Sequence, residues 1–191
     1  MSGHPGFSPG SSSQKFRSAP TIETERLILR SFRREDLDAF AATMADPEIV
    51  RHLAIEPLSR EDAFRRIFLA AGQWPILGMG MWAVELKADG RMVGHLGFFD
   101  MERDMTPSLA GLPEMGWIFD RTVHGKGIAL EACRAALNWA DREFGPVAIP
   151  AIISSDNMAS MRLAEKLGFV REPDGTYKGE PIAIFQRPAI G

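Results

Sequence analysis

The residues His124, Gly125, Lys126, Gly127, Ile128 and Ala129 lie between a strand-like run, Met115 to Phe119, and a long helical pattern that begins near Gly127. Two closely spaced glycines let backbone approach a ligand, because no Cβ stands in the way. A helix that starts there presents unpaired N–H groups and the positive end of its dipole. Together these suit an anion such as a phosphate or pyrophosphate. The spacing is neither the G-x-x-x-x-G-K-[ST] of a nucleotide-hydrolysing loop nor the G-x-G-x-x-G of a dinucleotide fold. Three further candidates flank the loop in sequence. Glu114 opens the preceding strand and reads either as a solvated strand-end carboxylate or as a proton acceptor. Asn157 and Ser160 open a second helix. Asn157 is a good N-cap, which is compatible with a ligand contact. Ser160 reads either as a helix-surface hydroxyl or as a proton donor. His52 and His95 read as packed or exposed histidines, and Met81, Trp74 and Trp82 as core.

Elements of ordinary length can position these groups. Arg26 to Arg30 reads as a first strand, and Leu37, Phe40, Ala41 and Met44 fall at helical spacing up to Asp46-Pro47. Ser59-x-x-Asp62 resembles a capping box before a helix. Trp82, Val84 and Leu86 alternate with polar or small residues, Asp89-Gly90 is a tight turn, and Val93 to Phe99 is the partner strand. Residues 103–113 read as a polar loop and residues 114–119 as a strand. A helix is predicted from Gly127 to Phe144, with Glu131, Arg134, Asn138 and Asp141 on its wet face. Val147 to Ser154 is a buried-type strand containing Pro150, which suits either a missing neighbour on one side or a bulge. A helix ending at Gly168 and strands at Thr176-Tyr177 and Ile182 to Phe185 complete the pattern.

Composition bounds the setting. The chain has 191 residues, 45% hydrophobic and 25% charged, which suits one domain with a full-sized core. Residues 1–20, rich in Ser, Gly and Pro, are predicted to be a flexible tail ahead of a single domain over 21–191. A net charge of -3 and a pI of about 5.8 leave no basic footprint for nucleic acid. Cys133 is the only cysteine, so no internal disulfide forms. No apolar run reaches transmembrane length and no signal-peptide core is visible, so a cytoplasmic protein without a membrane partner is expected. A homodimer stays open.

Three segments resemble the GCN5-related N-acetyltransferases, the GNAT superfamily. His124-x-x-Gly127-x-Ala129 is similar to its Q/R-x-x-G-x-G/A pyrophosphate loop, with His in the first position. Thr24-Glu25-Arg26-Leu27-Ile28-Leu29-Arg30, with Glu114-Met115-Gly116-Trp117, resembles the RimJ/RimL-like branch that acetylates ribosomal-protein N-termini. Asn157-x-x-Ser160 followed by Glu165-Lys166-Leu167-Gly168-Phe169 resembles the family's N-x-x-S/A … E-K-x-G-F signature. The resemblance spans about residues 21–187 and implies an α/β fold: a mixed, mostly antiparallel sheet with a splayed central strand pair and helices on both faces. It implies acetyl-CoA as co-substrate, no metal, and direct attack by a primary amine, a peptide N-terminus or a small molecule, in a ternary complex. It places the pantetheine against the backbone of Trp117, Ile118 and Phe119 and near Asn157. It places the pyrophosphate on the loop from His124 through Gly125, Lys126, Gly127, Ile128 and Ala129. Glu114 is then the base and Ser160 the acid, since Ala164 stands where many members carry a tyrosine. A CoA-binding sensor with weak or no catalysis is the alternative.

Overall fold

The computed structural model describes residues 16–53 and 55–189. Ten strands and five α-helices make up these segments. The first sheet contains β1 (Ile22–Glu23), β2 (Leu27–Arg30), β3 (Met81–Leu86), β4 (Met92–Phe99) and β6 (Glu114–Phe119), in that spatial order. The second runs β5 (Met105–Thr106), β9 (Gly175–Tyr177), β10 (Glu180–Arg187), β7 (Ile149–Ile153), with β8 (Val170–Arg171) also on β10. Every described ladder is antiparallel. The expected splayed pair is β6 and β7. They approach one another, yet no ladder joins them, so the two sheets meet at a wedge.

Helices cover both faces. Helices α1 (Leu37–Ala45), α2 (Pro47–Val50) and the first half of α3 (Arg60–Leu77) bury Phe40, Met44, Val50, Ala63 and Ile67 on one face. Helices α4 (Ile128–Glu143) and α5 (Met158–Lys166) bury Ala132, Cys133, Ala136, Trp139, Met161 and Ala164 on the other. The rings of Trp74, Trp82 and Trp139 meet edge to face at centroid distances of 4.6 to 5.6 Å, a packing that adds to their area burial. Trp74 and Trp82 are therefore core, as their sequence setting suggests. Burial pushes the Cys133 thiol up, which makes it an inert core residue.

Some boundaries differ from the sequence pattern. Residues 16–20, assigned by composition to the tail, pack on the domain. Phe16 lies against Trp74 and Trp139, Ala19 is buried, and the Pro20 carbonyl accepts from Trp82 Nε1 at 2.7 Å. Phe16 supplies apolar area that the Ser/Gly/Pro average conceals; residues 1–15 lie outside the described residues. The polar loop over 103–113 holds the short strand β5, paired with β9. Asp46-Pro47 ends α1 as expected, but Pro47 then starts α2, with Asp46 capping it at 2.9 Å. Pro150 faces Gln186 in a continuous β7–β10 register, so the missing neighbour, not a bulge, accounts for it.

Candidate active site

One end of the wedge carries an uncapped helix N-terminus. Gly125 and Gly127 adopt φ of 72° and 74°, the left-handed region that L side chains rarely occupy. Gly127 is the N-cap of α4 and no side chain caps the helix. The first bond of the helix is Glu131 N–H to the Gly127 carbonyl at 3.0 Å. The N–H groups of the first turn have no intrahelical acceptor. A Cβ on Gly125 would meet nothing within 4 Å, and one on Gly127 only the Arg26 guanidinium at 3.5 Å, so the loop's surface is open. Sixteen residues of aligned peptide dipole end at this point. Such a cradle fits a pyrophosphate.

His124 has a partner within the protein. Its Nε2 lies 3.0 Å from the Phe119 carbonyl, an arrangement in which the ring N–H donates. The imidazole thus braces the end of β6 and occupies a carbonyl that was expected to face the pantetheine. Trp117 turns its backbone N–H and C=O to the β7 side, where no strand pairs with them, whereas Ile118, opposite His95 in the ladder, turns its own toward β4.

Ser160 faces the same wedge from α5. Asn157 caps that helix by accepting the Ser160 N–H at 3.1 Å. The indole N–H of Trp117 donates to Ser160 Oγ at 3.3 Å. Indole is a donor only. The Ser160 oxygen is therefore the acceptor in this contact, and its own proton is left to donate elsewhere.

Glu114 is at the opposite end of β6. It is 5% exposed and not a solvated carboxylate. Arg103 holds it with Nε to Oε2 at 2.9 Å and Nη2 to Oε1 at 3.2 Å. The same guanidinium donates to the Tyr177 hydroxyl at 3.0 Å and lies 5.1 Å from that ring's centroid. Burial pushes the Glu114 carboxyl up, Arg103 pulls it down, and burial prevails. A bidentate arginine takes one lone pair from each oxygen and leaves another on each. Sequence reasoning missed Arg103 and Tyr177. They lie 11 and 63 residues from Glu114, and only the fold of β9 against β5 brings them together.

The histidines have specific settings. His52 Nδ1 lies 3.0 Å from Asp156 Oδ1, joining the segment after α2 to the turn before α5. His95 is buried against Phe32 and Phe40, and its Nδ1 has no partner. Burial lowers its pKa to about 4, with Arg66 adding to the effect. Among the described residues no group of three or more His, Cys, Asp or Glu could hold a metal, and no helix is long and apolar enough to cross a membrane.

Comparison with known proteins gives this geometry a context. The acetyltransferase (GNAT) domain family Acetyltransf_3 matches residues 26–170. The chain is 33% identical over 171 residues to the uncharacterised protein YkkB of Bacillus subtilis (strain 168), covering 87% of this chain and 94% of that one. It superposes on a GnaT-family acetyltransferase from Bordetella pertussis with a TM-score of 0.77 and 28% identity, covering 88% and 99% of the two chains. The ribosomal L7/L12 α-N-protein acetyltransferase RimL, solved with coenzyme A, superposes with a TM-score of 0.70 over 89% of this chain and 98% of that one. At 16% identity that likeness shows the fold alone.

Proposed function

The chain belongs to the GNAT acetyltransferases, and on that footing we propose that it moves an acetyl group from acetyl-CoA to a primary amine by direct attack in a ternary complex. The observation that carries this reading is the wedge itself: an uncapped, glycine-entered α4 beside the unpaired edge of β6. The backbone N–H groups of Gly127, Ile128 and Ala129 hold the pyrophosphate, with Gly125 and Lys126 shaping the turn. The backbone of Trp117, which faces the unpaired side of β6, and the Asn157 carboxamide hold the pantetheine arm. Acetyl-CoA supplies an acyl group activated as a thioester.

Ser160 gives its proton to the departing sulfur, a role supported by the direction of its contact with Trp117. Glu114 takes the proton of the amine through one of the lone pairs that Arg103 leaves. Its raised pKa makes it a better base than an exposed glutamate. An α-amine, with a pKa near 8, demands less of such a base than a lysine side chain near 10.4. The Thr24 to Arg30 segment resembles the RimJ/RimL-like branch and supports a peptide N-terminus as acceptor; small-molecule amines share the same chemistry. The reaction belongs in the cytoplasm. A panel of peptides and small amines assayed for CoA release tests the proposal. Turnover with a subset of primary amines is expected, and no CoA release with any of them would contradict it.

A further inference from the structure

The segment Thr24 to Arg26 is placed by the fold against the phosphate loop, about a hundred residues away in sequence. Glu131, in the first turn of α4, collects three hydrogen bonds from it. Its Oε1 accepts the Thr24 hydroxyl at 2.5 Å and the Arg26 backbone N–H at 2.9 Å, and its Oε2 accepts Arg26 Nε at 2.6 Å. The other side of the same guanidinium reaches the loop: Arg26 Nη1 donates to the Lys126 carbonyl at 2.9 Å. A continuous path therefore runs from the β1–β2 turn, through the carboxylate and the planar guanidinium, to one loop carbonyl.

That carbonyl shares a peptide plane with the Gly127 N–H. In a trans peptide the two point in opposite directions. Holding the Lys126 carbonyl toward Arg26 aims the Gly127 N–H away from Arg26. The Lys126–Gly127 peptide is also the one most easily turned over, because glycine accepts φ of either sign. Turned over, it would present a carbonyl where an anion needs a donor. The arrangement also explains an otherwise adverse charge. An acid in the first turn complements the helix dipole but repels a bound phosphate. Here its charge is matched by Arg26, whose side chain is 45% exposed while that of Glu131 is 18% exposed.

We propose that Arg26, oriented by Glu131 and Thr24, is a positioning residue that fixes the Lys126–Gly127 peptide for phosphate binding, so that the acid Glu131 strengthens CoA binding. This rests on the acetyl-CoA reading above. The clasp and simple electrostatics predict opposite signs for one substitution. Removing a negative charge beside an anion site should tighten CoA if charge governs; removing the clasp should weaken it.

The test is calorimetric titration of the full chain with CoA. Glu131→Gln is expected to weaken binding by roughly tenfold, the scale of one lost charge-assisted hydrogen bond. Arg26→Lys keeps the charge but cannot hold Glu131 and the Lys126 carbonyl in one fork, so it should weaken CoA to a similar degree. In turnover, the loss should fall on the KM for acetyl-CoA and not on kcat. Wild-type affinity or tighter binding in Glu131→Gln would overturn the clasp, and so would wild-type affinity in Arg26→Lys, the milder change if the first variant folds poorly. No CoA binding by the wild type would instead overturn the acetyl-CoA reading, and the clasp with it.

Discussion

Strand β6 begins in a closed network and ends beside an open one. At its start, both oxygens of Glu114 are held by Arg103, which is itself held by Tyr177. Beyond its end, α4 opens at Gly127 with no side-chain cap. Helix α5, on the far side of the wedge, shows that this chain can close a helix start when it does so: Asn157 takes the Ser160 N–H. On the proposed roles, the contrast separates two tasks. An anion site needs donors that the protein has withheld from itself. A proton-transfer site needs a carboxylate taken out of water, and a buried carboxylate needs a partner to be tolerated there.

If the tasks are separate, substitutions at the two ends should affect different quantities. The largest effect on turnover is expected at the closed end. Glu114→Gln should lower kcat/KM for the best acceptor by about 10²–10⁴-fold while leaving acetyl-CoA affinity near wild type. The loss should be greatest at low pH, where little amine is neutral, and smallest at high pH. Parallel pH profiles separated by less than about threefold would leave Glu114 as a structural partner of Arg103 only. Between the ends, Ser160→Ala should reduce kcat by about 10²-fold with the KM for acetyl-CoA little changed. A wild-type rate would hand the proton to water.

A smaller effect sharpens the comparison in stability terms. His95 is buried with an unpartnered Nδ1, beside Ile118 in the β4–β6 ladder, and its pKa is about 4. Its pKa when unfolded is near 6.5. Between those values the unfolded chain binds the proton and the folded chain does not, so stability rises with pH across this window and is lost as pH falls. At pH 5 the loss attributable to His95 is about 2 kcal/mol. Denaturant unfolding of wild type and His95→Leu at pH 7.5 and 5 measures it as the difference between their pH dependences. Equal pH dependence in the two would show that His95 finds a partner in solution.

The open end was legible in the sequence because its signal is local. Two glycines before a helical pattern give the turn and the uncapped N-terminus within six residues, and the strand from Glu114 to Phe119 appears with the predicted bounds. Cap residues were legible for the same reason, as Ser59 and Asn157 show. The closed end was not. Glu114 read either as a solvated strand end or as a base, and its burial was hidden because nothing nearby in sequence announces Arg103 as its partner or Tyr177 as the partner of Arg103. The strands β1, β5 and β8 escaped notice because each is two residues long, too short for alternation to register. His124 was placed on the loop by the family resemblance, with His where the pattern has Gln or Arg, and its link to the Phe119 carbonyl is visible only in the fold. The Thr24 to Arg30 motif read as an edge strand, and its link to Glu131 depends on a contact between segments over a hundred residues apart.

The claim that most needs testing is that the open start of α4 binds the phosphates of acetyl-CoA. Calorimetric titration of acetyl-CoA into wild type and Gly127→Val tests it directly, with a thermal melt of each free protein as the control for folding. Gly127 has φ of 74° and no side-chain cap, so valine both strains the turn and crowds the surface where phosphate must approach. Saturable binding to the wild type, a ligand-dependent rise in its melting temperature, and loss of both in a variant that still melts cooperatively are expected. Undiminished acetyl-CoA binding in folded Gly127→Val would contradict it and place the co-substrate elsewhere on the protein.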